Sequence, residues 1–144
     1  MSGSVLVTGA SRGIGREVAR LLVRVGYDVV GVFRSDVKAA AQLEIETAGR
    51  ARLLQADLVV PDAVDQVAAE IEHTATPLVG VVLGAGMSMH APFVETRHGD
   101  ADPLTDQLAA DLGAPLLLLR ALMRRPRKRF HGRLVLHCAA DHVQ

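Results

Sequence analysis

Short runs of consecutive apolar residues alternate along this chain with longer stretches in which apolar residues recur every third or fourth position. The runs Val5–Val7, Val29–Phe33, Arg52–Gln55, Val79–Leu83 and Leu134–His137 predict five strands. Near-continuous apolar character in several of them fits strands covered on both faces, as in a parallel sheet between helices.

The intervening stretches carry helical periodicity. After Gly13, the residues Val18, Leu21, Leu22 and Val25 share one helix face, and Gly26 supplies a stop. Val37–Ala48 is Ala-rich and ends at Gly49. Pro61–His73 opens with a proline suited to a first turn and aligns Val64, Val67, Ala68 and Ile71. Leu104–Met123 reads as one long helix. The strict alternation predicts an α/β fold, a Rossmann-like doubly wound parallel sheet of about five strands with right-handed crossovers. The 144 residues are expected to form a single domain.

Composition narrows the function classes. Hydrophobic residues make up 49%, too many for a mainly disordered chain, and no apolar run is long enough to span a bilayer. The formal net charge of +0 and the 3% aromatic content give neither general attraction to nucleic acid nor stacking platforms for it. One cysteine, Cys138, excludes an internal disulfide framework. A basic n-region and cleavage pattern are absent from the N-terminus, so the expectation is a soluble, cytoplasmic protein.

The chemistry concentrates between the first strand and the first helix, in Thr8-Gly9-Ala10-Ser11-Arg12-Gly13-Ile14-Gly15. Gly9 permits a tight turn, Gly13 lets backbone approach a pyrophosphate, and Gly15 lets the helix pack close to the sheet. The N–H groups of the first helical turn then face an anion. A glycine trio alone also suits an ordinary turn. The same string spells GxSxG around Ser11, the pattern of a hydrolase nucleophile elbow. However, only eight residues precede Gly9, too few for the strands and oxyanion loop of that fold.

The GxxxGxG string resembles the nucleotide motif of the short-chain dehydrogenase/reductase family, and the resemblance runs along nearly the whole chain. It implies a bound nicotinamide dinucleotide. Arg34 and Ser35, with Asp36 behind them, resemble the NADP-type ending of strand two, where a cation pairs with the ribose 2′-phosphate. Arg12 supplies a second charge, so NADP(H) is expected ahead of NAD(H). Asp57 and Leu58 resemble the family's adenine-contacting pair, and Gly84, Ala85 and Gly86 the run beside the nicotinamide ribose. Within the family the chain is similar to 3-oxoacyl-acyl-carrier-protein reductases and polyketide ketoreductases, which implies reduction of a 3-oxoacyl thioester.

Departures from the family pattern are equally informative. Leu83-Gly84-Ala85-Gly86 stands where the family usually has Asn-Asn-Ala-Gly, so two side-chain amides are missing. Asp111 occupies the position of the tetrad asparagine, and Pro115, four residues on, cannot donate to its carbonyl, which predicts a free carbonyl and a bend. The resemblance places Ala139 at the catalytic serine, where a methyl group cannot hold an alkoxide. Five residues follow it, and the Tyr-x-x-x-Lys pair is absent, the single tyrosine being Tyr27. The chain therefore reads as the family's N-terminal part, truncated after strand five and inactive alone. One part of a split reductase and a non-catalytic nucleotide-binding partner are the alternatives. An uncovered fifth strand also predicts an oligomer or low stability.

Two further features stand outside the glycine turn. Arg124, Arg125, Arg127, Lys128 and Arg129 form a basic run, either a solvated surface or, by the resemblance, a landing patch for an acidic acyl carrier protein. His131, His137 and His142 lie near Cys138, but no paired metal-ligand spacing supports a metal site, and none is expected.

Overall fold

Every residue of Ser4–Thr8 (β1) is buried, because this strand lies in the middle of the sheet with a neighbour on each edge and a layer on each face. A computed structural model describes residues 3–86, 103–124 and 132–136. Asp28–Phe33 (β2), Ala51–Gln55 (β3), Leu78–Leu83 (β4) and Arg133–Leu136 (β5) complete a five-stranded sheet in the order β3-β2-β1-β4-β5. All four pairings are parallel.

Alternation along β1 divides the core in two. Leu6 points to one face, where it meets Val30, Val32, Val81 and Leu83 beneath Pro61–Glu72 (α3). Val5 and Val7 point to the other, beneath Gly13–Arg24 (α1) and Val37–Glu46 (α2). The β1–β4 register slips between Ser4 and Val5, which lets Leu78 join Val81 and Leu83 on the α3 side. The four aligned residues of α3, Val64, Val67, Ala68 and Ile71, are all buried.

Two helices differ from the periodicity reading. The buried residues of α1 are Gly15 and Ala19, while Leu21 and Val25 are exposed and Val18 and Leu22 half-buried. Small residues let α1 approach the sheet so closely that its larger apolar side chains flank the contact rather than fill it. The predicted long helix is interrupted: Pro103–Leu108 (α4) passes into a π-helical turn, Ala109–Gly113, before Ala114–Arg124 (α5). Ala114 N–H reaches back to Ala109 O, so the turn holds one extra residue ahead of Pro115, which has no N–H to give. The expected bend thus takes the form of a widened turn. Helix α5 packs on α3 through Ala114 and Leu118.

Strand β5 is an edge of the sheet formed by the described residues, and Leu134 and Val135 are half exposed there.

Candidate functional site

In an open parallel sheet, loops leaving the carboxyl ends of the strands gather on one rim, and the crevice opens where successive connections diverge to opposite faces. Here that point lies between β1 and β4, since β2 and β3 extend from one side of β1 and β5 lies beyond β4. The rim collects the glycine turn after β1, Arg34–Asp36 after β2, Asp57–Leu58 after β3 and Gly84–Gly86 after β4.

Three contacts shape the glycine turn. Gly9 has φ +70°, and a Cβ there would sit 2.8 Å from the Gly84 carbonyl oxygen and 2.9 Å from Ala85 Cα. Only glycine tolerates both the angle and the approach. A Cβ on Gly15 would fall on the Gly9 carbonyl oxygen, so the start of α1 is folded tightly against the turn. Gly13 has φ +57°, and among the described residues nothing lies within 4 Å of where its Cβ would be. Ala10 N–H donates to Val32 O at 3.0 Å and anchors the turn to β2.

Among the described residues no side chain caps α1, and its first turn holds no acidic residue; Arg12 sits at the cap in extended conformation. The positive end of the helix thus carries amide donors without a carboxylate partner among the described residues. Helix α2 is built differently: Asp36 Oδ1 accepts from Ala39 N–H at 3.0 Å. Arg12, Arg34 and Ser35 are exposed. Among the described residues neither the Arg12 nor the Arg34 guanidinium is ion-paired, whereas Arg16, Arg20, Arg50 and Arg52 are.

The strand exits are fastened to one another. Thr8 is buried, and its Oγ1 accepts from Gly84 N–H at 3.1 Å and Ala85 N–H at 3.0 Å. With no side-chain amide at positions 83–86, this hydroxyl fixes the β4 exit, while Leu83 fills the core. Gly86 abuts the π-helical turn: a Cβ there would lie 3.0 Å from Asp111 Oδ1. Two separately predicted features, the small-residue run and Asp111, therefore meet. Asp57 is exposed and its Oδ1 accepts from Val59 N–H at 3.2 Å, whereas Leu58 turns into the core. Ser11 is only 6% exposed, which removes the accessible hydroxyl that a hydrolase elbow needs. Ile14 is exposed beside the turn.

Arg124 is exposed at the end of α5. Arg125, Arg127, Lys128, Arg129 and Ala139 lie outside the described residues, as do His131, His137, Cys138 and His142.

Sequence reasoning missed Arg16. Its Nη1 donates to Ser11 O (3.2 Å) and Ala39 O (3.0 Å), and its Nη2 to Glu46 Oε1 (2.9 Å). A hydrogen bond from Gln42 and the charges of Arg16 and Arg20 hold the Glu46 carboxyl below the ordinary glutamate value, against the opposing cost of desolvation. Partners 23 and 30 residues away leave no local signal. Gln55, whose Nε2 donates to Arg34 O at 3.0 Å, escaped notice for the same reason.

The profile of the short chain dehydrogenases matches residues 4–140. The chain belongs to the short chain dehydrogenase family. It is 36% identical over 141 residues to the 3-oxoacyl-(acyl-carrier-protein) reductase FabG of Aggregatibacter actinomycetemcomitans, covering 94% of this chain and 56% of that protein. Gluconate 5-dehydrogenase of Gluconobacter oxydans (strain 621H) is 33% identical over 144 residues, covering 98% and 55%. The crystal structure of a blue fluorescent protein from a metagenomic library, in complex with NADPH, superposes with a TM-score of 0.77 at 27% identity, covering 92% of this chain and 53% of that one. The short chain dehydrogenase described here thus spans about half the length of the relatives it matches.

Proposed function

We propose that this short chain dehydrogenase binds NADP(H) on the rim of the sheet and contributes the cofactor-holding part of a ketoreductase acting on a 3-oxoacyl thioester. The observation that carries the reading is the uncapped start of α1, seated on the turn by the close approach of Gly15 to Gly9, which offers backbone donors beside the open space at Gly13. The residues fit a dinucleotide: amides of residues 13–15 for the pyrophosphate, Arg34, Ser35 and Arg12 for the 2′-phosphate, Asp57 and the Leu58 backbone for adenine, and residues 84–86 for the nicotinamide ribose. When bound, the nicotinamide would supply hydride from C4 to the substrate carbonyl carbon. The FabG relative's name and the NADPH complex of a structural neighbour support substrate class and cofactor respectively.

The chain's own residues bind and orient rather than move the proton. Tyr27, the single tyrosine, immediately precedes β2 and packs against the core on the α1 and α2 side from the amino end of that strand, about 20 Å of strand from the rim. Ala139, at the position matched to the family serine, offers no hydroxyl. In this reading proton donor and alkoxide partner come from sequence outside these residues. Asp111 borders the substrate side of the crevice, and an acyl carrier protein is the partner for which Arg124 and the following basic residues are suited.

Cofactor titration tests the reading. NADPH is expected to bind more tightly than NADH. Arg34→Glu is expected to weaken NADPH by roughly 10- to 100-fold, since one charge-assisted contact becomes repulsion. NADH is expected to change far less. Equal affinities for both cofactors in the unsubstituted protein would reject the role of Arg34.

A further inference from the structure

Two parts of the proposed site are held by different elements. The pyrophosphate donors belong to the turn before α1, and the 2′-phosphate group Arg34 belongs to the loop between β2 and α2. A dinucleotide engages both only if their separation is fixed. Besides the backbone hydrogen bond from Ala10 to Val32, among the described residues the Arg16 side chain is hydrogen-bonded to both the glycine turn and the start of α2.

Arg16 leaves the first turn of α1, and its side chain is 18% exposed. Nη1 holds the carbonyl of Ser11, in the middle of the glycine turn, and the carbonyl of Ala39, in the first turn of α2. Ala39 N–H is in turn capped by Asp36, which immediately follows Arg34 and Ser35. Nη2 closes the arrangement on Glu46 near the far end of α2. A planar guanidinium presents these donors in a fixed fork, so it sets a distance as well as an attraction. Arg20, one helical turn on, pairs with Glu17 and Glu46 through carboxylates alone and is more exposed.

We infer that Arg16 is a positioning residue: by bridging Ser11 and Ala39 it sets the spacing between the phosphate turn and the Arg34 loop, and with it the preference for a 2′-phosphorylated dinucleotide. The inference rests on the NADP(H) reading above and adds a residue that touches neither phosphate. A clamp that only stabilised the fold would weaken both cofactors alike. A spacer acts on the one ligand that must reach both ends.

Titration of NADPH and NADH against the full chain and its Arg16→Ala, Arg16→Lys and Arg20→Ala variants separates these outcomes. Arg16→Ala is expected to lower the NADPH-over-NADH affinity ratio roughly tenfold, the effect of about one charge-assisted hydrogen bond. Arg16→Lys keeps the charge but ends in a single nitrogen, which cannot hold the two carbonyls and the Glu46 carboxylate from separate fork positions as Nη1 and Nη2 do. It is expected to lower the ratio too, and it serves if the alanine variant fails to fold. Arg20→Ala is expected to leave the ratio within about twofold, as for an exposed ion pair. Equal weakening of both cofactors by the Arg16 variants, or an unchanged ratio, overturns the inference while leaving the NADP(H) reading intact. An unsubstituted chain that binds neither cofactor, or shows no preference, overturns both.

Discussion

Alanine at position 15 is expected to destabilise the fold by about 1–3 kcal/mol, the usual range for overpacking, and to weaken NADPH binding at least about tenfold. The added methyl falls on the carbonyl oxygen of Gly9. Both partners are backbone, so no rotamer change relieves the clash, and α1 must withdraw from the turn. Withdrawal moves the helix-opening amides away from the anion they are proposed to hold. Gly26→Ala is the control. Its φ of +104° makes that substitution strained as well, but nothing lies within 4 Å and the position is at the other end of α1. It is expected to lower stability without touching NADPH affinity. Urea unfolding and cofactor titration on the two variants check this. A Gly15→Ala protein with unaltered stability and affinity would contradict the packing described.

The second large effect is on turnover. With NADPH and a soluble 3-oxoacyl thioester, the purified chain is expected to reduce substrate at least about 10⁴-fold more slowly than its FabG relative. A positioned general acid contributes about 10²–10⁴ and an oxyanion partner about 10²–10³. Tyr27 lies at the wrong end of the sheet to replace the acid, and Ala139 has no group to replace the oxyanion partner. Loss of NADPH absorbance measures the rate, and Tyr27→Phe is expected to leave any residual rate unchanged. Turnover comparable to the relative's would mean that this chain carries a proton donor of its own.

What the sequence revealed follows from the range of the interactions involved. The five strand segments, the glycine turn and α3 depend on neighbours a few residues apart, and each was legible. The start of α2 is local as well, with Asp36 capping just ahead of Val37. Pro115 announced a disturbance in the long helix, but whether a missing donor gives a kink or a widened turn depends on how α5 seats against α3. The apolar face of α1 was misleading because periodicity weighs large residues, whereas Gly15 and Ala19 make the contact. Within the site, Gly9 and Gly15 were recognisable from spacing. Three features were not: the Thr8 bridge to β4, the meeting of Gly86 with Asp111, and the Arg16 clamp. Each joins residues from distant parts of the chain, and no local pattern records it.

The central claim is that the amides opening α1 receive the dinucleotide's bridging phosphates. Amide chemical shifts recorded while NADP is added to the isotopically labelled protein test it directly. The account predicts that the resonances of Gly13, Ile14 and Gly15 move most and saturate together with those of Arg34 and Ser35. Saturation that leaves these amides in place while shifts gather at another surface would contradict it.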